Sequence, residues 1–414
     1  MRFEGELSPQ RNFIRQSKRA PTTVSQRILF TVEHLYPMGP AQMLFPLASE
    51  LSAAGKDVVV AVLGQRTSEV SRWLDAGIRV FFVNGDDQTP LHTHRDAFTV
   101  VCELRNLVRL VEPDILHPWC GEAIWLTLLA IQPLPLTASL PTVRLLATEL
   151  NLRPEKNFVR SLLEDKLSSQ IETLIVPHEL VADDLADEGI VAKQTRVIRN
   201  GVRVGDFCRA EERPAIVDRG AISRRDLRAS VRQSLSLPAE ARLAITVAEL
   251  EPRTRLKDLV WATDLLACIR EDFHFAIIGT GGQLWRLQKF ARQTEARDNV
   301  HFLGLPESPE SYLAAADFYW HSHLHSPLAG TLLAAMAMGI PAISVLGPGT
   351  EAIVQHQATG FATNFGARDE FARWTKYLIE QTEPANRLAQ QGQGHVVKHF
   401  PFDPMLQEYL ELYA

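Results

Sequence analysis

Three short loops in this sequence could bind a phosphate group through their backbone amides. They are residues 36–41 (YPMGPA), 279–282 (GTGG) and 326–331 (SPLAGT), and each lies between an apolar run and a helical pattern. In open α/β sheets, ligands bind beyond the carboxyl ends of the strands, where the first N–H groups of a helix favour an anion. The alternative is that these glycines only form tight turns after buried strands. The candidate phosphate-binding residues in these loops are Gly39, Gly279, Gly281, Ser326, Gly330 and Thr331.

The spacing of these loops disfavours two common nucleotide sites. The first loop lacks the GxGxxG spacing of a dinucleotide-binding turn, and no GxxxxGK[ST] run occurs in the sequence. We therefore expect neither a nicotinamide cofactor nor an ATP-type phosphate loop.

Histidines supply a second group of side chains that could do chemistry. His321, His323 and His325 occupy alternate positions just before the third loop. Alternate residues of a strand share one face, so three imidazoles could in principle ligate a metal ion. His117 closes another predicted strand, at residues 115–117, and is either a reactive residue or a buried, hydrogen-bonded histidine.

Short apolar runs alternate with amphipathic helical patterns along nearly the whole chain. A brief β-branched or aliphatic run is typical of a parallel strand buried on both faces. The first series of predicted strands is 27–33, 57–63, 79–83, 115–117, 143–147 and 173–176. The second series is 243–247, 275–278, 300–303, 317–320 and 341–345. This alternation predicts an α/β fold with doubly wound sheets, and two series predict two domains.

Local signals also predict a first helix and a hinge. Residues 41–54 place their leucines on one helical face and end at Gly55, a natural helix cap. The polar, charged segment 201–242 separates the two series of strands, and residues 200–207 are the predicted hinge.

Composition limits the possible partners of the chain. The 414 residues suit two domains, and 43 basic against 49 acidic residues leave a formal charge of −6. This mild acidity argues against a broad nucleic-acid surface. The scattered cysteines and the absence of a long apolar run indicate a soluble cytoplasmic protein with free thiols.

An ordered series of motifs resembles glycosyltransferase family 4. The resemblance covers about residues 27–414, and each motif alone has modest specificity. The motifs are residues 39–42 (GPAQ), 113–117 (PDILH), 197–202 (VIRNGV), 278–282 (IGTGG), 302–304 (FLG), 313–317 (LAAAD) and 335–341 (AMAMGIP).

The resemblance implies the GT-B fold, in which two Rossmann-like domains face each other across a cleft. Residues 27–200 would form the acceptor-side domain and 201–395 the donor domain. Residues 396–414 would form a helix that crosses back to the first domain, and 1–26 a flexible tail. His117 would then lie where the acceptor or reacting sugar binds, and we predict a catalytic role for it.

The sequence departs from the family pattern at its donor site. The two family glutamates, which contact the donor sugar and the nucleotide ribose, correspond to Ser326 and Ala334. The basic pair that grips the diphosphate corresponds to Glu249 and Thr254. His325 adjoins the position of the first lost glutamate, so we predict that it contacts the donor or leaving group.

A neighbouring basic cluster could replace the missing charge. Arg253, Arg255 and Lys257 lie in the same loop as the altered pair, and a guanidinium fork suits phosphate oxygens. We therefore predict that these three residues bind the donor. The alternative is that they only solvate the start of a helix.

These features lead to a predicted function with two alternatives. The resemblance implies a retaining glycosyltransferase that moves a sugar from a nucleoside-diphosphate sugar to a glycan or small-molecule acceptor, with no metal and no separate cofactor. Loss of the family residues leaves open an inactive relative that binds nucleotide, glycan or a protein. A nucleotide-sugar epimerase of similar fold is a third class. Peripheral membrane contact has no amphipathic basic helix to support it.

Overall fold

A computed structural model describes residues 25–36, 39–64, 70–83, 94–133, 143–150, 166–190, 192–203, 224–306, 309–324 and 329–414. The predicted N-terminal tail therefore lies almost wholly outside the described residues. The chain divides into two compact units, Met1–Ile198 with Tyr409–Ala414, and Arg199–Glu408.

The first unit contains a parallel sheet of seven strands in the order β3-β2-β1-β4-β5-β6-β7. The strands are β1 Arg27–Val32, β2 Asp57–Val62, β3 Arg79–Phe82, β4 Ile115–Trp119, β5 Arg144–Thr148, β6 Thr173–Val176 and β7 Gln194–Val197. Its described helices are Pro40–Ala53, Val70–Asp75, His94–Val111, Gly121–Ala130 and Glu179–Asp187. Chain order reverses between β1 and β4, the point at which such sheets bind ligands.

The second unit contains a parallel sheet of six strands in the order β10-β9-β8-β11-β12-β13. The strands are β8 Arg242–Val247, β9 Phe273–Ile278, β10 Val300–Gly304, β11 Phe318–His321, β12 Ala342–Val345 and β13 Phe361–Thr363. Its described helices are Arg224–Ser234, Leu256–Ala267, Leu284–Ala291, Pro309–Ala315, Gly330–Ala337, Arg368–Glu380, Thr382–His399 and Phe402–Leu412, of which the last ends among residues of the first unit.

The local sequence explains why these elements form. Central strands such as β2 (DVVVAV) are buried on both faces, which β-branched side chains tolerate well. Helix Pro40–Ala53 begins with proline, and Leu44, Leu47 and Leu51 form its buried stripe. The chain then turns at Gly55, whose φ of +83° suits glycine.

The fold class predicted from the sequence is confirmed, with two strands missed. Every predicted strand is present to within two residues, and both sheets are parallel with helices between the strands. β7 (QTRV) was missed because it is an exposed edge strand with polar residues, and β13 because it has only three residues. Over the described part of the chain, no helix has both the length and the hydropathy needed to cross a bilayer.

Candidate functional site

The glycine loop after β9 packs directly on the segment that follows β8. Gly279 and Gly281 have φ values of +146° and +154°, and a Cβ on Gly279 would lie 1.8 Å from the carbonyl oxygen of Ala248. A Cβ on Gly281 would lie 2.6 Å from the carbonyl oxygen of Leu250. The N–H of Leu250 donates to the carbonyl of Thr280 over 2.9 Å. Only glycine permits this approach, so the two loops form one backbone surface at the carboxyl edge of the sheet.

Thr254, which corresponds to one residue of the family's basic pair, is buried. It closes the short turn Pro252–Thr254, and its buried hydroxyl lies 2.9 Å from the carbonyl oxygen of Glu249 and 2.7 Å from that of Glu251. The hydroxyl of Ser322, after β11, donates to the carbonyl of Thr254 over 2.5 Å. These bonds tie residues 248–255, the β8 loop, to the end of β11, so Thr254 shapes the loop.

The charged side chains of the β8 loop bind one another and the glycine loop. Arg253 Nη2 lies 2.5 Å from Glu249 Oε2, and both side chains are substantially exposed. The N–H of Gly282 donates to Glu251 Oε1 over 3.1 Å. The Glu249 carboxylate is therefore paired with a guanidinium group of its own loop.

The other two members of the basic cluster have different partners. Arg255 Nε donates to Asp258 Oδ2 over 2.6 Å, and Arg368 Nε donates to Asp258 Oδ1 over 3.0 Å. Lys257 Nζ lies 4.5 Å from the ring centroid of Phe290. Arg255 therefore pairs with an aspartate in the first turn of helix Leu256–Ala267, which Arg368 also binds from helix Arg368–Glu380. Arg253 instead pairs with Glu249 in the loop after β8. Donor binding by the three residues stays a prediction.

Replacing Asp258 with asparagine should destabilise the second unit. The Asp258 side chain is only 8% exposed and accepts from two guanidinium groups, which are 36% and 41% exposed. Loss of its charge leaves both cations poorly compensated, and we expect a cost of about 2 kcal/mol after allowance for solvent screening. Denaturant unfolding measures it. Asp298→Asn, at an exposed pair with Arg297, is the control and should change stability little. Equal effects of the two variants would contradict the stabilising role of the Asp258 carboxylate.

The third predicted loop leads into helix Gly330–Ala337. The residue before it, Ala329, is buried with φ +38°, and no side chain caps the helix start. The buried Tyr319 hydroxyl donates to Thr331 Oγ1 over 2.8 Å, and burial raises the pKa of Tyr319 to about 12, which keeps it a donor. The uncapped N–H groups of this first turn are suited to an anion.

The remaining predictions at the third loop concern His325, Ser326 and the position of Ala334. His325 and Ser326 lie outside the described residues. Ala334, at the position of the family's ribose-binding glutamate, is buried in the helix and has no polar group to offer. This helix therefore has no carboxylate at the position that corresponds to the second family glutamate.

His321 and His323, at the end of β11, belong to the second unit. His321 is buried, which lowers its pKa to about 4, and its ring centroid lies 6.4 Å from that of His323. Within the described ranges, no three or more His, Cys, Asp or Glu side chains form a group that could hold a metal ion.

His117, the other predicted catalytic residue, is fully buried in the first unit. Its Nδ1 lies 2.5 Å from the Tyr413 hydroxyl and its Nε2 lies 2.8 Å from the Thr148 hydroxyl. Phe30 and Trp119 pack against the ring. Burial lowers the pKa of His117 to about 3. These are the contacts of a hydrogen-bonded core histidine, and proton transfer to a substrate would require them to open. Its catalytic role stays a prediction.

A cluster of polar groups follows the adjacent strands β1, β4 and β5. The Cys120 thiol donates to Glu149 Oε1 over 3.0 Å, and the N–H of Gly121 lies 3.3 Å from Glu149 Oε2. The N–H of Glu122 donates to Glu33 Oε1 over 2.5 Å. Burial, reinforced by Glu149, raises the pKa of the Cys120 thiol, so it stays protonated. Glu33 and Cys120 were not predicted as site residues, although both come directly after strands.

Comparison with known proteins agrees with the fold and with the motif series. The family of glycosyl transferases group 1 matches residues 228–395, and the glycosyl transferase 4-like domain matches residues 38–201. The two matches follow each other along the chain and together take in most of both sheets.

Two curated relatives match part of the chain. It is 25% identical over 183 residues to the lipopolysaccharide core biosynthesis glycosyltransferase LpsE of Rhizobium meliloti (strain 1021), covering 44% of this chain and 53% of LpsE. It is 20% identical over 197 residues to N-acetyl-alpha-D-glucosaminyl L-malate synthase of Bacillus anthracis, covering 48% of this chain and 51% of that enzyme. The chain thus spans about half the length of the curated relatives it matches.

Solved structures match over nearly the whole chain. Anabaena Alr3699/HepE, crystallised with UDP and glucose, superposes with a TM-score of 0.74 at 18% identity, covering 94% of this chain and 99% of that one. WaaG, a glycosyltransferase involved in lipopolysaccharide biosynthesis, superposes with a TM-score of 0.69 at 14% identity, covering 93% and 99%. At such identities the likeness establishes the fold. The protein therefore belongs to the group 1 glycosyltransferases and has their GT-B fold.

Proposed function

We propose that this protein transfers a sugar from a nucleoside-diphosphate sugar to a glycan acceptor, with retention of anomeric configuration. The observation that carries the proposal is the backbone surface in which Gly279 and Gly281 pack against the β8 loop. UDP is the first nucleotide to test, because HepE was crystallised with UDP and glucose. LpsE and WaaG are both named for lipopolysaccharide synthesis, so a glycan of that kind is the first acceptor to test.

The proposed chemistry requires compensation of charge on the departing diphosphate. The uncapped amides of Gly330 and Thr331 would face the negative charge, and Arg253 would supply a guanidinium group. Tyr319 would hold the Thr331 hydroxyl in place through its hydrogen bond. Exclusion of water around the donor would suppress its hydrolysis.

A second candidate is a relative that binds nucleotide or glycan without transferring sugar. Two observations favour it: buried Ala334 stands in place of a glutamate, and Arg253 is already paired with Glu249. Both would weaken donor binding relative to family members with the usual charged groups.

Thermal shift and product release separate these candidates. The transferase proposal expects stabilisation by millimolar UDP, GDP or ADP, because a ligand that binds only the folded state raises its stability. It also expects acceptor-dependent release of nucleoside diphosphate from a donor panel. Stabilisation without release would favour the non-catalytic relative, and no stabilisation by any nucleotide would reject both nucleotide-binding proposals.

Replacing Arg253 with alanine should weaken UDP binding about tenfold, the effect expected for loss of one partly exposed charge-assisted contact. Isothermal titration measures this change. Lys376→Ala is the control, because it removes the cation of another exposed i,i+4 ion pair, that of Lys376 with Glu380. It should leave UDP affinity unchanged. Equal UDP affinity in wild type and Arg253→Ala would remove Arg253 from the donor site.

A further inference from the structure

Two acidic side chains bind the very groups that a diphosphate would use. The Glu249 carboxylate forms a 2.5 Å ion pair with Arg253. The Glu251 carboxylate accepts a 3.1 Å hydrogen bond from the N–H of Gly282 in the glycine loop. Both glutamates belong to the short loop after β8, so two negative charges lie at one edge of the second sheet.

A carboxylate and a phosphate compete for such groups. Both anions form charge-assisted hydrogen bonds with guanidinium groups, and both are favoured by backbone amides at a glycine-rich turn. One amide N–H cannot donate fully to two anions at once. A diphosphate that approaches Arg253 and Gly282 would therefore find both groups already bound, and the two carboxylates would repel it.

We propose that Glu249 and Glu251 are internal competitors of the donor's diphosphate and that they set the affinity of the donor site. This inference rests on the proposed function, since it concerns the same site. In the nucleotide-free protein the two carboxylates hold Arg253 and the Gly282 amide. Donor binding displaces both side chains into solvent and transfers their partners to the phosphate oxygens.

The loop does not depend on these carboxylates for its shape. Its turn is held by the Thr254 hydroxyl and by the bond from Ser322 to the Thr254 carbonyl. Its contact with the glycine loop includes the backbone bond from Leu250 to Thr280. Glu249 is 64% exposed, so its side chain can leave Arg253 without breaking a packed contact. Loss of either charge should therefore change anion affinity while the fold persists.

The test is a titration of charge-neutral variants with UDP, GDP, ADP and inorganic pyrophosphate. Glu249→Gln and Glu251→Gln keep nearly the same shape, and each should tighten binding of UDP and pyrophosphate about five- to tenfold, as removal of one nearby like charge predicts. The gain should shrink at 1 M salt, where screening acts over about 3 Å. Glu380→Gln is the control, because it changes the net charge by the same amount at a different exposed ion pair, that of Glu380 with Lys376. It should leave the affinities for UDP and pyrophosphate unchanged.

The outcomes separate this inference from the proposed function. If wild type binds a nucleotide and neither glutamine variant binds it more tightly, the competition is rejected and the transferase proposal stands. If a glutamine variant binds nucleotide or pyrophosphate and the wild type binds neither, the competition stands and the wild-type protein is not a donor-binding transferase. If no variant binds any probe, both are rejected. A thermal melt of each variant confirms that it is folded before its titration is interpreted.

Discussion

Replacing Gly279 with alanine is expected to destabilise the second unit by about 3 kcal/mol or more, enough to unfold many domains. A Cβ at this position would lie 1.8 Å from the Ala248 carbonyl oxygen, and the backbone has φ +146°, which only glycine adopts readily. The backbone cannot shift to relieve the clash without cost, because the N–H of Ala248 donates to the carbonyl of Ile278 over 3.0 Å. Denaturant unfolding, followed by hydrogen exchange in β8 and β9, measures the loss.

Gly394→Ala is the matched control for this variant. Gly394 lies in helix Thr382–His399, and a Cβ there would meet no heavy atom within 4 Å. Because alanine favours a helix over glycine, we expect stabilisation of up to about 1 kcal/mol. If hydrogen exchange in β8 and β9 were as slow in Gly279→Ala as in wild type, this result would contradict the close packing of the two loops.

The first unit is expected to lose up to about 4 kcal/mol of stability as the pH falls from about 6.5 toward 3, given 1.36 kcal/mol per unit of pKa difference. His117 has a pKa of about 3 in the folded protein because it is buried, against an ordinary value of 6.5. Between these values the unfolded chain binds a proton that the folded chain does not. The stability that neutral His117 contributes to the first unit is therefore fully present above pH 6.5 and is lost progressively as the pH falls toward 3. Hydrogen exchange of peptides from β4 and from residues 409–414 follows this loss.

His117→Gln isolates this effect from the other titrating groups. Glutamine can hydrogen-bond to Tyr413 and Thr148 but does not titrate, so the pH dependence of exchange in the first unit should become shallower. His301 and His321 also have pKa values near 4, but they belong to the second unit and do not enter the first unit's signal. Equal slopes for wild type and His117→Gln would show that His117 is not the group responsible.

Much of the fold was predictable because both sheets are buried on both faces. Strands such as β2 and β8 are continuous apolar runs in the sequence, and each is followed by a helix with an apolar stripe. The exceptions have the same physical basis. β7 is an edge strand, so its residues QTRV need not be apolar, and β13 is too short to show a pattern. Local sequence therefore predicts an element only where burial imposes a pattern on it.

The candidate site was only partly predictable. Gly279 and Gly281 were visible as a glycine loop after a strand, and their close packing follows from the absence of a side chain. The partners of the basic cluster were not visible. Arg253 lies four residues after Glu249, but this spacing predicts an ion pair only within a helix, and the loop after β8 is not one.

What the sequence by itself determined is the order of strands and helices, the glycine loops, and the family to which the chain belongs. The tertiary structure alone decided which charged and polar groups meet. Arg368 reaches Asp258 across 110 residues, and Tyr413 reaches His117 across 296 residues. Burial of apolar surface acts on each segment and leaves a local pattern, whereas a hydrogen bond depends on where two distant segments come together after that burial.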